Sequence, residues 1–114
     1  MNTVRIEGDR LVVEPRGLDR LWALRRRIEV PLAHVAGATY DPGAHREPKG
    51  LRIGTRLPGK TAGTFRRGGE KTFYNLGRSE QTVVIELRDE DYTRLVVDVE
   101  EPRALVSRIN QVVA

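Results

Sequence analysis

The 114-residue sequence predicts a mainly-β domain, a partly open barrel of about seven antiparallel strands in two near-orthogonal sheets, capped by one C-terminal amphipathic helix. Three observations predict this fold. Apolar and polar residues alternate in short segments between residues 3 and 99, turn-forming residues separate the segments, and a helical pattern begins only near residue 101. Strand edges in such a chain are protected when the sheets close on one another, and the helix then covers one open end.

The composition fits one domain, residues 1–114, and excludes several classes of site. The chain contains no cysteine, which excludes disulfides, thiolate nucleophiles, zinc ribbons and iron–sulfur clusters. Its apolar runs are too short to cross a bilayer, and its first residues lack the charged and apolar segments of a signal peptide. We therefore expect a cytoplasmic protein without a cofactor.

The first strands are predicted as a hairpin. Thr3–Glu7 and Arg10–Glu14 alternate on either side of a Gly8-Asp9 turn. The following segment, Gly17–Leu24, has a spacing that suits a short helix or a distorted strand, and alternation returns over Ile28–Leu32.

A weakly patterned strand is predicted over Val35–Asp41, followed by a break in the pattern. Residues 41–60 are rich in proline and glycine, which is typical of a loop, with room for one short strand at Leu51–Ile53.

Two hairpins are predicted after this break. Thr64–Tyr74 contains a Gly68-Gly69 turn, although the register of its two arms stays open. Thr82–Arg88 and Tyr92–Val99 alternate on either side of Asp89-Glu90-Asp91, and each places its apolar residues on one face.

The last element is predicted as a helix over residues 101–113. Pro102 suits a first helical turn, and Glu100 and Glu101 complement the positive end of the helix dipole. The apolar residues follow the helical period and form one face, which contains Leu105, Val106, Ile109, Val112 and Val113.

The stretch from Gly54 to Thr61 reads GTRLPGKT and matches the phosphate-loop pattern G-x-x-x-x-G-K-[ST]. Such a loop needs a helix directly after it, because the phosphates sit against amides at the helix N-terminus. Gly63, Gly68 and Gly69 occupy the span of that helix, and each costs about 1 kcal/mol in a helix interior. We therefore expect a solvent-exposed basic connection between two halves of the barrel and no nucleotide site.

Basic residues form the candidate binding site. Residues 1–78 contain 16 basic and 8 acidic side chains, whereas residues 79–114 contain 4 and 8. This asymmetry is typical of a surface that meets phosphates or acidic partners, and it is also what an arginine-rich genome produces without a function. The candidates are one run of three arginines and the basic residues on either side of the Gly68-Gly69 turn. They are Arg25, Arg26, Arg27, Arg66, Arg67 and Lys71.

Candidate catalytic and metal-binding residues are few. His34, His45, Ser79 and Ser107 show no spacing that would join a nucleophile, a base and an orienting acid. Asp89-Glu90-Asp91 could hold a hard cation, but an acidic hairpin turn is more simply a solvated one. We expect no catalytic site and no metal site.

The order of elements resembles that of the bacterial pleckstrin-homology-like proteins. The resemblance covers residues 3–113 and is carried by DRLVVEPRGLDRLWALRRRIEVPLAHV, AGTFRRGGEKTFYNL, TVVIEL and YTRLVVDVEEPRALVSRI. It implies a seven-stranded partly open barrel capped by a C-terminal helix, and no enzymatic activity. Lipid-binding relatives carry spaced basic residues at the first hairpin turn, where this chain has Glu7-Gly8-Asp9 with only Arg5 and Arg10 nearby. This departure argues against phosphoinositide recognition at that turn.

We therefore expect a non-enzymatic interaction module that captures a protein or peptide along an exposed strand edge. The alternative is peripheral binding to an anionic membrane, at its inner face, through the arginine clusters. The six aromatic residues are better explained as core than as a stacking platform, so no nucleic acid partner is expected, and a homo-oligomer stays open.

Overall fold

Nine strands and one C-terminal helix make up the computed structural model, which describes residues 2–15, 27–43, 51–57, 60–77 and 80–114. The prediction of a mainly-β domain with one terminal helix is confirmed. The elements are β1 (Asn2–Glu7), β2 (Arg10–Pro15), β3 (Ile28–Pro31), β4 (Val35–Tyr40), β5 (Leu51–Leu57), β6 (Lys60–Arg67), β7 (Glu70–Gly77), β8 (Thr82–Leu87), β9 (Arg94–Asp98) and α1 (Pro102–Val113).

The strands form two sheets, and no closed barrel is present in the described parts of the chain. A small sheet has the order β1-β2-β3, and a large sheet has the order β4-β8-β9-β7-β6-β5. The expectation of about seven antiparallel strands is wrong in two respects, because the described residues form nine strands and because β9 runs parallel to β7. Alternation identifies a strand and its buried face, but it carries no information about which strand lies beside it.

The first and last predicted hairpins are confirmed. In β1–β2, Gly8 has a φ of 60°, as a tight hairpin turn requires, and Glu7 pairs with Arg10 across the turn. In β8–β9, Val83 pairs with Val97 and the apolar residues of both arms are buried.

The predicted hairpin around Gly68-Gly69 is also confirmed, and its register is now defined. Both glycines have positive φ, and Phe65 pairs with Thr72 rather than with Phe73. On the same face, the Phe65 ring meets Tyr74 edge to face at 5.0 Å.

The prediction of a loop over residues 41–60 is wrong for residues 54–57, because β5 continues the short strand expected at Leu51–Ile53 as far as Leu57, and β6 begins at Lys60. Residues 41–43 form a turn, as expected, and residues 44–50 and 58–59 lie outside the described residues. Leucine and isoleucine alternate with polar residues along β5, and this period prevails over the glycine and proline content because β6 supplies a pairing partner for the whole strand. The predicted helix or distorted strand at Gly17–Leu24 lies outside the described residues.

The apolar core lies on both faces of the large sheet. Phe73 and Leu95 belong to a cluster that also contains side chains of the small sheet and of α1. Tyr74 and Val96, their neighbours in β7 and β9, belong to a second cluster. Successive residues of a strand point to opposite faces, so the large sheet is buried on both sides.

The prediction of an amphipathic terminal helix is confirmed, since α1 buries Leu105 and Ile109 in the first cluster and begins with Pro102. Val112, predicted for the apolar face, is 47% exposed. The helix lies along β4 and reaches β8, so it covers the edge of the large sheet rather than the end of a barrel. None of the helices in the described residues is long and apolar enough to cross a membrane.

Asn110 of α1 closes the open edge of β4. Its side-chain amide donates to the Ala38 carbonyl and accepts from the Ala38 amide, both at 2.9 Å. Ala38 pairs with Ile85 but directs its own backbone groups away from β8, so Asn110 takes the place of a neighbouring strand. Gly37 makes this approach possible, because a Cβ atom there would lie only 3.2 Å from Asn110 Oδ1.

We predict that Asn110→Asp lowers the free energy of unfolding by about 1–2 kcal/mol, because a carboxylate can still accept from the Ala38 amide but cannot donate to its carbonyl. Urea unfolding measures the change. Gln111→Glu makes the same amide-to-carboxylate change on the next, exposed residue and should cost only a few tenths of that amount. Equal effects of the two substitutions would contradict this role for Asn110.

Candidate functional site

The predicted basic site is only partly described, and its residues lie among acidic partners. Arg25 and Arg26 lie outside the described residues. Arg27 forms ion pairs with Glu29 at 2.9 Å and with Glu7 at 3.6 Å. The guanidinium of Arg27 is therefore already paired with two carboxylates of the small sheet.

The turn between β6 and β7 brings Arg66, Arg67 and Lys71 together. Arg66 pairs with Lys71 across the strands, and Arg67 pairs with Glu70. Lys71 forms an ion pair with Asp91 and lies over the Tyr92 ring, 5.0 Å from its centroid. Glu70 forms an ion pair with Arg94. The surface at this turn thus carries both signs of charge.

The histidine and the acidic residues singled out in the sequence hold turns together. His34 Nδ1 lies 2.5 Å from a Glu90 carboxylate oxygen, and the His34 carbonyl accepts from the Arg88 amide. Ser107 is exposed on α1, whereas His45 and Ser79 lie outside the described residues. Within the described ranges, no three acidic or histidine side chains cluster as metal ligands would.

The GTRLPGKT stretch forms part of an antiparallel ladder. Gly54–Leu57 belongs to β5, Lys60 and Thr61 begin β6, and Arg56 pairs with Thr61. The interpretation of this stretch as a connection is therefore wrong for residues 54–57 and 60–61, which lie in paired strands, whereas residues 58–59 lie outside the described residues. The strand that continues from Lys60 stands where a phosphate loop would have its helix.

A groove of about 510 Å³ separates the edge of the small sheet from the helix. One wall is the start of β1, and the other is α1 together with the segment that enters it. The lining residues are Asn2, Thr3, Val4, Val99, Glu100, Glu101, Ala104, Leu105 and Arg108.

Along this groove, β1 presents an unpaired backbone edge. The two-residue turn makes Glu7 and Arg10 a hydrogen-bonded pair, so Arg5 and Thr3 also bond to β2 while Val4 directs its amide and carbonyl outward. No backbone hydrogen bond reaches these outward groups of Val4 from the rest of the described chain. As far as the described residues show, the edge is therefore open to pairing with an additional strand.

Buried hydrogen bonds fix the first residue of this edge to the large sheet. The Asn2 side chain donates to the Asn75 carbonyl at 3.0 Å and to the Asp98 carbonyl at 2.9 Å, and accepts from the Asn75 amide at 2.6 Å. The Asp98 carboxylate in turn accepts from the Thr82 hydroxyl and the Gly77 amide. These bonds fix the start of β1 against β7 and β9, next to the segment that enters α1.

The helix wall carries one charge of each sign. Glu101 directly precedes α1, and Arg108 lies seven residues further on, nearly two turns, so that Glu101, Ala104 and Arg108 follow one stripe along the helix. The opposite flank of the helix faces β4, where Arg103 lies 5.3 Å from the Tyr40 ring centroid. Neither Glu101 nor Arg108 forms an ion pair with another described residue.

Comparisons with family models, with curated proteins and with solved structures found no match to this chain.

Sequence reasoning missed the groove residues, although one signal pointed to them. A two-residue turn at Gly8-Asp9 fixes which residues of β1 form backbone hydrogen bonds to β2. It therefore implies that the amide and carbonyl of Val4 point away from β2. No pattern in the sequence indicates that α1 would lie beside that edge.

We predict that Asn2→Ala lowers the free energy of unfolding by about 2–4 kcal/mol, because it removes three buried hydrogen bonds, to the Asn75 and Asp98 carbonyls and from the Asn75 side-chain amide. Thr3→Ala is the matched control, since the Thr3 side chain makes none of these bonds, and it should cost less than about 1 kcal/mol. Chemical denaturation of both variants tests the difference. A cost for Asn2→Ala no larger than that of the control would refute the anchoring role.

We predict that the Glu7 carboxylate titrates below its ordinary pKa of 4.5, because Arg5 donates a hydrogen bond to its charged form and Arg27 adds a favourable charge. A depressed folded-state pKa contributes stability that is present above pH 4.5 and is lost as the pH falls through the folded-state value.

Carboxylate NMR titration should therefore show the Glu7 midpoint rising toward 4.5 in Arg5→Gln. Arg10→Gln, across the turn, should leave the midpoint nearly unchanged. A midpoint that is the same in wild type and Arg5→Gln would contradict the assignment.

Proposed function

We propose that this protein is a non-enzymatic interaction module that binds an extended peptide in the groove between β1 and α1. The observation that carries the proposal is the unpaired backbone edge of Val4, which lines the groove opposite the helix. An added strand would supply the missing partner for this edge, while its side chains contact α1.

Two further features favour a strand as the ligand. The anchoring of Asn2 to Asn75 and Asp98 holds the edge in place, so little ordering entropy is lost from the protein on binding. The groove floor includes Val99 and Leu105, which offer apolar contact beside the polar backbone edge.

We also propose that the fold is related to that of the pleckstrin-homology-like proteins. Two sheets with a C-terminal helix agree with that likeness, whereas nine strands and the parallel β7–β9 pair depart from its seven antiparallel strands. The module we propose shares the general arrangement and uses its own edge, that of β1.

Peripheral membrane binding is the weaker alternative. Its candidate residues Arg27 and Lys71 already have carboxylate partners, and neutralised cations gain less from an anionic surface.

The test begins with selection of displayed short random peptides on the folded protein. We predict that a recovered peptide, made synthetically, binds Val4→Pro at least about tenfold more weakly than wild type, a loss of about 1.4 kcal/mol. Proline removes the outward amide of Val4 without removing a bond to β2, since that amide does not face β2. Fluorescence anisotropy gives the affinities.

Val4→Ala is the matched control, because it also truncates the valine side chain but keeps the amide, and it should bind nearly as wild type. Amide exchange gives a second readout, in which the peptide should protect Val4. Failure to recover any peptide, or equal binding by Val4→Pro and Val4→Ala, would overturn the proposal.

A further inference from the structure

We infer that the peptide bound in this groove carries an acidic side chain opposite Arg108 and a basic side chain opposite Glu101. This inference rests on the proposed function and adds the chemistry and direction of the ligand. Three features support it: the charges on the helix wall, the spacing of Glu101, Ala104 and Arg108 along the stripe, and the direction of β1.

The charges on the helix wall have no internal partners among the described residues. The Arg108 guanidinium and the Glu101 carboxylate both line the groove without an ion pair. Ala104 lies between them on the stripe, and its small side chain leaves the space above it open to a bound backbone. A ligand with opposite charges at matching positions would neutralise both groups.

The distance between the charges sets the spacing in the ligand. Seven residues of helix rise about 10 Å, which an extended chain covers in about three residues. Side chains on one face of a strand are separated by two or four residues, so the two charged ligand residues are expected about two to four positions apart.

The direction of the ligand follows from where β1 and α1 begin. Asn2 bonds to the Asp98 carbonyl, just before the segment that enters the helix, so Asn2 and Glu101 lie at the same end of the groove. Val4 and Arg108 lie further along. Antiparallel pairing is slightly the more stable arrangement, and it places the peptide's C-terminal part beside Asn2. The acidic residue of the ligand therefore precedes the basic one.

The charge-reversed variant Glu101→Lys/Arg108→Glu tests this inference. The double substitution keeps the net charge, and Glu101 makes no side-chain capping bond that the change would remove. Thermal unfolding and circular dichroism establish that the variant is folded. The same displayed library of short random peptides is then selected on wild type and on the variant.

Peptides from wild type should carry Asp or Glu two to four positions before Lys or Arg, and peptides from the variant should carry the reverse order. A synthetic wild-type peptide should bind the variant about tenfold more weakly, and exchange of its two charged residues should restore the affinity. This rescue separates charge recognition from a general loss of binding.

The outcomes distinguish this inference from the function on which it rests. Peptides that lose affinity for Val4→Pro but show no charge order, or that bind both charge forms equally, overturn the inference and leave the proposed function standing. Recovery of no peptide, or of peptides indifferent to Val4→Pro, overturns both.

Discussion

Two hydrogen bonds between Asn110 and Ala38 hold the helix on the edge of β4. This position decides which face of the helix is buried in the core and which face lines the groove. With Asn110 fixed on the edge of β4, Leu105 and Ile109 point into the core between the two sheets. The opposite flank, with Ala104 and Arg108, is then left facing β1. Backbone groups at a sheet edge need partners, and the helix satisfies one edge with a side chain while leaving another open.

Buried hydrogen bonds between polar side chains and the backbone also join the two sheets. Asn2 is 3% exposed and Asn75 is 1% exposed, yet the amide nitrogen of each has a partner, as does each side-chain oxygen of the neighbouring Asp98. A buried network with all its members paired favours one relative position of the sheets over others. The groove between β1 and α1 therefore owes its shape largely to buried hydrogen bonds, and Asn2 both belongs to this network and lines the groove.

Local sequence patterns predicted the individual strands and the helix better than they predicted which elements lie side by side. The alternation over residues 82–99, the glycines at 68 and 69, and Pro102 each report on local conformation, and the corresponding hairpins and helix are present. The strand β5 was expected only as a short piece at Leu51–Ile53, because Gly54 and the glycines and prolines on either side of β5 outweighed a weak alternation that becomes decisive only beside β6. The groove combines β1 with a helix about a hundred residues away, and local periodicity does not encode such a juxtaposition. The basic residues stay a prediction as a binding site, and the carboxylates of Glu29 and Asp91 reach Arg27 and Lys71 only through folding, so the sequence did not show these ion pairs.

The central position of β9 has a consequence for how the chain folds. It is the last strand in sequence, yet it lies between β8 and β7, and the β8–β9 pair alone connects β4 to the three strands β5, β6 and β7. During synthesis, the large sheet cannot be completed until residue 98 has emerged, and until then β7 lacks its neighbour on the side where β9 will lie. The late insertion of a central strand makes the contacts of this sheet long-range, which slows folding relative to successive hairpins. Because β7 carries apolar side chains on both faces, Phe73 on one and Tyr74 and Leu76 on the other, its unpaired side is open to other chains during that interval.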